Sequence, residues 1–199
     1  MGDTRQREPL ALSLGGMLGF ELGLGVLALV LALIFGLSPW TQLALTADAV
    51  LWSLLATAFM LLIGAWLERQ EQMAWWQSLQ RILDEQLIPA LATMPGGALF
   101  LIALFAGVFE ELLFRGVIQA GLAGPLGEWP ALLLASLLFG LAHALSRAYF
   151  VIATLMGIYL GGLFMVTGNL LIPILVHFLY DWAVLHYYLR RHRRRRIDA

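Results

Sequence analysis

The chain has 199 residues, of which 61% are hydrophobic and only 13% charged, with a formal net charge of −1. A soluble domain sits nearer half apolar and a quarter charged, so this composition excludes an ordinary soluble domain and leaves length for several membrane spans. Cysteine is absent, which excludes disulfide and thiol chemistry, and all twelve basic residues are arginine.

A membrane-crossing helix needs about 20 apolar residues. The sequence predicts an all-α, polytopic membrane helical bundle of six spans: Leu12–Leu37, Ala47–Leu67, Gly96–Leu122, Ala131–Ser146, Tyr149–Thr167 and Ile172–Leu189. The apolar stretch from Leu10 to Leu37 exceeds a signal-peptide core and is expected to remain as the first span. It carries Gly15, Gly16, Gly19, Gly23 and Gly25, small residues that let helices approach closely. Glu21 sits among them without a motif partner and reads more readily as a hydrogen-bonded packing residue than as a catalytic one.

After the second span, residues 68–92 change character. Met73, Trp76, Leu79, Leu83 and Leu87 recur at helical spacing, and Glu68, Glu71, Arg81, Asp84 and Glu85 lie mostly off that stripe. The pattern fits an amphipathic helix on the membrane surface or, equally, an extension of the second span. Arginine occurs before the first span, in the second and fourth connections and in the basic tail 190–199, whereas the first, third and fifth connections have none. Basic residues mark the cytoplasmic side, so both termini are expected there, in agreement with an even number of spans. The arginine tail is a topology signal that also suits anionic lipid; nucleic-acid binding is not expected.

The chemistry concentrates in the later spans. Glu110, Glu111 and Arg115 fall in the third, His143 in the fourth, His177 and Asp181 in the sixth. Each ionisable group costs roughly 2.5–3.5 kcal/mol in the hydrocarbon core, so a shared polar site is the economical explanation. Glu111 and Arg115 are four apart and share a helix face. Glu110 points about 100° away from that face, without an internal partner, and suits proton exchange. His177 and Asp181 repeat the four-residue spacing, as do Phe139 and His143. Gly140, Gly161 and Gly162 leave room for close approach or for a substrate segment. His186, Asp48 and Glu128 lie outside any motif.

The run Glu110-Glu111-Leu112-Leu113-Phe114-Arg115 resembles the EExxxR motif of the CAAX protease and bacteriocin-processing family. Phe139 to His143 resembles its FxxxH motif, and His177 to Asp181 a third motif of a histidine followed four residues later by a polar residue. The resemblance covers about Phe105 to Trp182. It implies a glutamate-type intramembrane endopeptidase in which Glu110 and His143 activate water. His177 and Asp181 then stabilise the oxyanion, and Glu111 and Arg115 hold the architecture. Asp181 stands where the prenyl-protein endopeptidase is expected to have Asn; a protonated Asp can donate a hydrogen bond, while an ionised one would orient His177 or join it as a metal ligand.

A catalytic core over 96–189 is expected, in one membrane domain of 1–199 in a bacterial cytoplasmic membrane. The expected partners are the lipid bilayer and a membrane-associated protein or peptide substrate. No cofactor is expected. The alternatives are a zinc-dependent protease at the same residues, and a non-proteolytic carrier or scaffold that uses the intramembrane acids otherwise.

Overall fold

The computed structural model describes residues 13–70 and 72–197, all helices and connecting turns without a strand among them. Helix α1 (Leu14–Phe35) starts where the Ser13 hydroxyl accepts from the Gly16 amide at 3.1 Å. It stops at Gly36, whose φ of 64° is a left-handed conformation that costs glycine little. Helix α2 (Ala47–Glu68) is capped by Thr46, with Asp48 in its first turn, where a carboxylate meets the positive end of the helix dipole. The connections at this end are braced together: Asn169 accepts from the Ala44 amide at 3.1 Å and donates to the Ala44 carbonyl at 2.7 Å.

The chain breaks after α2 and resumes as α3 (Ala74–Ile82), a π-helical segment (Leu83–Leu87) and α4 (Ile88–Ala92). The break sets the amphipathic segment apart from the second span. Of the apolar stripe, Trp76 and Leu79 are buried within the protein, whereas Met73 is 39% exposed. Beyond them the buried positions are Ile88, Ala90 and Leu91, while Leu83 and Leu87 are half-buried. Pro89 explains the shift. Proline lacks an amide hydrogen and its ring collides with the carbonyl four residues back; the helix widens over the preceding turn, and the extra residue moves the stripe by one position.

Helix α5 (Ala98–Glu111) runs through a second π-helical segment (Leu112–Gln119) into α6 (Ala120–Leu126) as one rod, since the junction residues Leu112 and Ala120 keep right-handed helical backbone. Helices α7 (Glu128–Ala142), α8 (Arg147–Thr167) and α9 (Leu171–Ile197) follow. Three helices, α1, α2 and α8, are individually long and apolar enough to cross a membrane, and the chain is an integral membrane protein. The expected fourth span ends early: α7 stops at Ala142, so that His143 caps it rather than lying within it. At 1.5 Å per residue its 15 residues reach only about 22 Å. The expected sixth span continues as helix into the arginine tail, to Ile197.

α9 packs against α5, α2 and α8, and α7 pairs with α8. In that second pair a Cβ on Gly140 would strike Thr154, and one on Gly157 would lie 3.0 Å from the Ser136 Cα. Of the glycines in α1, only Gly25 meets another helix, at the Phe109 ring; Gly15, Gly19 and Gly23 face open space. The packing face of α1 is instead Gly25, Ala28 and Ala32, all buried. Leu12 of the expected first span and Glu71 of the polar face of the amphipathic segment lie outside the described residues.

Candidate active site

Two apolar layers bracket a band of polar side chains. In one layer Met17 and Leu18 meet Leu99, Ile102 and Leu189. In the other, Ala28 and Ala32 meet Leu113, Phe114 and Phe139. Between them, α5 carries Glu110 and Glu111, and α9 carries His177 and Asp181.

Glu111 and Arg115 form the innermost pair, with Nη1 2.6 Å from Oε1 and side chains 0% and 1% exposed. Arg115 spends its other donors locally. Nη2 donates to the Gly157 carbonyl at 3.0 Å, and the guanidinium carbon lies 4.6 Å from the centre of the Phe139 ring. The π-helical segment that carries Arg115 also places Gly116 against Pro39 and Leu170, where a Cβ would come within 2.9 Å of either side chain. Arg115 thus ties α5, α7 and α8 together, a structural position at the back of the site.

His177 is held from both sides. Nδ1 lies 2.8 Å from Glu111 Oε1, and Nε2 lies 3.4 Å from Asp181 Oδ2. Neutral imidazole has one N–H, so filling both contacts requires a second proton within the Glu111–His177–Asp181 chain. Asp181 is at the open end of it, with a side chain 31% exposed.

The remaining pair is looser. Glu110 Oε2 is 3.6 Å from His143 Nε2, beyond hydrogen-bond distance, and is buried without a hydrogen-bond partner. His143 Nδ1 lies 2.9 Å from the Phe139 carbonyl. A carbonyl only accepts, so Nδ1 carries the proton and neutral His143 turns an Nε2 lone pair toward Glu110. The imidazole stacks on Phe139 at 4.5 Å between ring centres and meets Tyr149 edge-on at 5.9 Å. With 24% of its side chain exposed, it forms the accessible wall of the pair. The early end of α7 accounts for His143 meeting an acid twelve residues into the α5 rod, about 18 Å along its axis from Ala98.

The three motifs therefore meet in one place. Phe139 is the central support, in contact with Arg115, His143 and His177. Sequence reasoning gave no role to Gly157, whose carbonyl holds Arg115, nor to Tyr149; Gly157 carries no separate signal, while Tyr149 lies six residues after His143. The glycines of α8 divide. Gly161 abuts Gln119 and Leu132, whereas Gly162 opens onto an apolar cavity of ≈ 380 Å³ lined by Trp52, Trp129 and Leu163, remote from the acids. Among the described residues no cluster of three or more His, Asp or Glu side chains has an arrangement suited to a metal ion. His186 is half-buried and its ring bonds to the Trp182 carbonyl, and Glu128 opens α7.

Comparison with known proteins bears on this arrangement. The model of a protein family described as type II CAAX prenyl endopeptidase Rce1-like matches residues 93–183. No curated protein and no solved structure matches the chain. The matched stretch begins directly after α4, ends two residues past Asp181, and so contains all three motifs. The family implies a protease acting on a peptide or protein substrate in the membrane. Residues 93–183, a little under half of the chain, are thus similar to the Rce1-like type II CAAX prenyl endopeptidases.

Proposed function

We propose that the protein is a glutamate-type intramembrane endopeptidase, in which Glu110 and His143 activate the water that attacks a peptide bond. The observation that carries this reading is the Glu110–His143 pair: two acceptor atoms face each other at 3.6 Å, one without any partner. Two lone pairs do not bond to each other. A water touching both at about 2.8 Å satisfies them by donating one hydrogen to each, and its own lone pairs then face away from the pair, toward an incoming carbonyl carbon. Glu110 accepts the proton during attack and returns it to the leaving amine, a general-base and general-acid role worth about 10²–10⁴ in rate.

His177 takes the opposite role. Its long contact with Asp181, 3.4 Å, leaves Nε2–H free to turn toward the oxyanion, while Glu111 stabilises the imidazolium through Nδ1. Asp181 supports His177 and bounds the oxyanion site. Glu111 and Arg115 keep these groups in register. The reading needs no metal: Glu111 holds Nδ1 of His177, whose Nε2–H serves the oxyanion, the Phe139 carbonyl occupies Nδ1 of His143, and only the Nε2 lone pair of His143 remains in the site.

In the membrane we place six spans: α1, α2, the α5–α6 rod, α7, α8 and α9, with both termini in the cytoplasm of a bacterial cell. The arginine tail of α9 and the amphipathic segment then lie at the same surface. There Glu68 contacts Tyr188, and Arg191 Nη1 reaches Glu68 at 3.0 Å. The substrate is a membrane-associated protein or peptide. Peptide mapping of membranes containing the active protein against membranes containing Glu110→Gln tests the activity and identifies the cleaved bond; identical peptide maps would contradict it.

A further inference from the structure

Helix α1 lies outside the stretch matched by the family model, yet it places an acid in the same polar band. Met17 and Leu18 belong to one bracketing apolar layer, and Ala28 and Ala32 to the other. The level between them on α1 is the level of Glu110 and Glu111 on α5 and of His177 and Asp181 on α9. The residue there is Glu21. Its direction follows from Gly25, one turn further on, which abuts the Phe109 ring beside Glu110. Residues four apart share a helix face, so Glu21 is on the α1 face turned to α5. Its Oε2 is buried without a hydrogen-bond partner. It interacts electrostatically with His177 and Asp181, and with Glu110.

A packing role accounts poorly for this. An aliphatic side chain would fill the position without the cost of burying a carboxyl. Charge counting gives Glu21 a specific task. Glu111 balances Arg115, and Asp181 balances a doubly protonated His177. Glu110 and Glu21 are then the two carboxyls in excess. Like charges in a water-poor site are not ionised together. Glu110 must be free to accept a proton from water, so the proton that lowers the charge resides on Glu21.

We propose that Glu21 is a further positioning residue of this site, a protonated carboxyl in the same polar band whose charge state is coupled through space to Asp181 and so fixes the state in which Asp181 supports His177. The charged groups that act on it are Glu110 from α5 and His177 and Asp181 from α9; α1 contributes no other titratable group among its described residues. The choice of Glu21 over Glu110 for the proton, like the catalytic consequence, rests on the endopeptidase reading, whereas the infrared assignment tests the proton's place without it.

The test uses the full chain in lipid nanodiscs. Infrared difference spectroscopy across pH reads the carbonyl stretch of protonated carboxyls in the wild type, Glu21→Gln and Asp181→Asn. One component should vanish in Glu21→Gln, and its midpoint should move by about one pH unit or more in Asp181→Asn, a tenfold change in proton affinity. Cleavage of a farnesylated peptide with a CAAX terminus is followed in the same discs. Glu21→Leu should lower kcat roughly five- to tenfold, the worth of about one hydrogen bond, with KM unchanged. Glu21→Gln, which keeps a donor, should restore most of that rate and flatten the alkaline limb of the pH profile.

A protonated-carboxyl component that survives Glu21→Gln, or a midpoint indifferent to Asp181→Asn, would overturn the proposal. The Asp181→Asn midpoint decides even if Glu21→Gln fails to fold. Should the infrared coupling appear while wild-type discs never cleave the peptide or any membrane protein, the protease reading fails and the coupling of Glu21 to Asp181 stands.

Discussion

Removing the charge of Glu111 gives the sharpest energetic prediction. Glu111→Gln leaves the Arg115 guanidinium, 1% exposed, without its only carboxylate at 2.6 Å, and removes the carboxylate that faces His177 Nδ1 at 2.8 Å. Breaking a buried ion pair from one side costs about 3–5 kcal/mol, because the other charge stays buried. In a chain of this size each kcal/mol is worth about 2–4 °C in Tm, so the variant should melt roughly 6–20 °C lower. Scanning calorimetry or tryptophan fluorescence in one defined detergent measures this. The double variant Glu111→Gln/Arg115→Met removes the orphaned cation as well and should recover a large part of the loss. Its recovery stays incomplete, because the Gly157 carbonyl then loses its donor. A Glu111→Gln protein with wild-type Tm, or a double variant less stable than the wild type by the full sum of the two single losses, would refute the assignment of this pair to the core of the fold.

Other perturbations separate the parts of the site. Asp181→Asn should retain part of the cleavage activity if the residue acts as a neutral support for His177, and lose nearly all of it if a charged partner is required; rates across pH for the two proteins decide this, and a variant faster than the wild type at every pH would contradict both roles. Gly140→Ala drives a Cβ into Thr154 and should destabilise the α7–α8 pair by about 1–3 kcal/mol, read as lower Tm and slower cleavage. Glu68→Ala removes the partner of Tyr188, Arg191 and Gln80, and should speed limited proteolysis in the break at 69–73. Exhaustive chelation should leave cleavage intact, and elemental analysis should show less than one zinc per chain; activity lost on chelation and restored by zinc would overturn the metal-free mechanism.

Motifs at four-residue spacing were the legible part of the site. Glu111–Arg115, His177–Asp181 and Phe139–His143 each keep that spacing within one helix, or at its cap, and short-range geometry is what periodicity encodes. The all-helical architecture followed from apolar run lengths, as did the approximate position of each helix. What a uniform period leaves out is decided by local helix breakers and by partners from elsewhere in the chain. Five glycines in α1 look alike, but only Gly25 has Phe109 across from it. The stripe over residues 73–87 loses register at Pro89 because the widened turn adds a residue that a uniform period of 3.6 leaves out. His143 terminates α7 because the helix stops well short of the apolar run that continues to Leu145. Glu21 lacks a motif partner in sequence because its neighbours come from α5 and α9.

The central claim is that Glu110 performs proton transfer rather than holding the fold, and Glu110→Gln tests it most directly. Gln preserves the size of the side chain but cannot take up a proton at neutral pH. Wild-type and variant proteins, reconstituted in equal amount and matched for Tm, are compared in single-turnover cleavage of a substrate bond found by peptide mapping. The account predicts a rate lower by about 10²–10⁴ in the variant at unchanged Tm. Equal rates would contradict it.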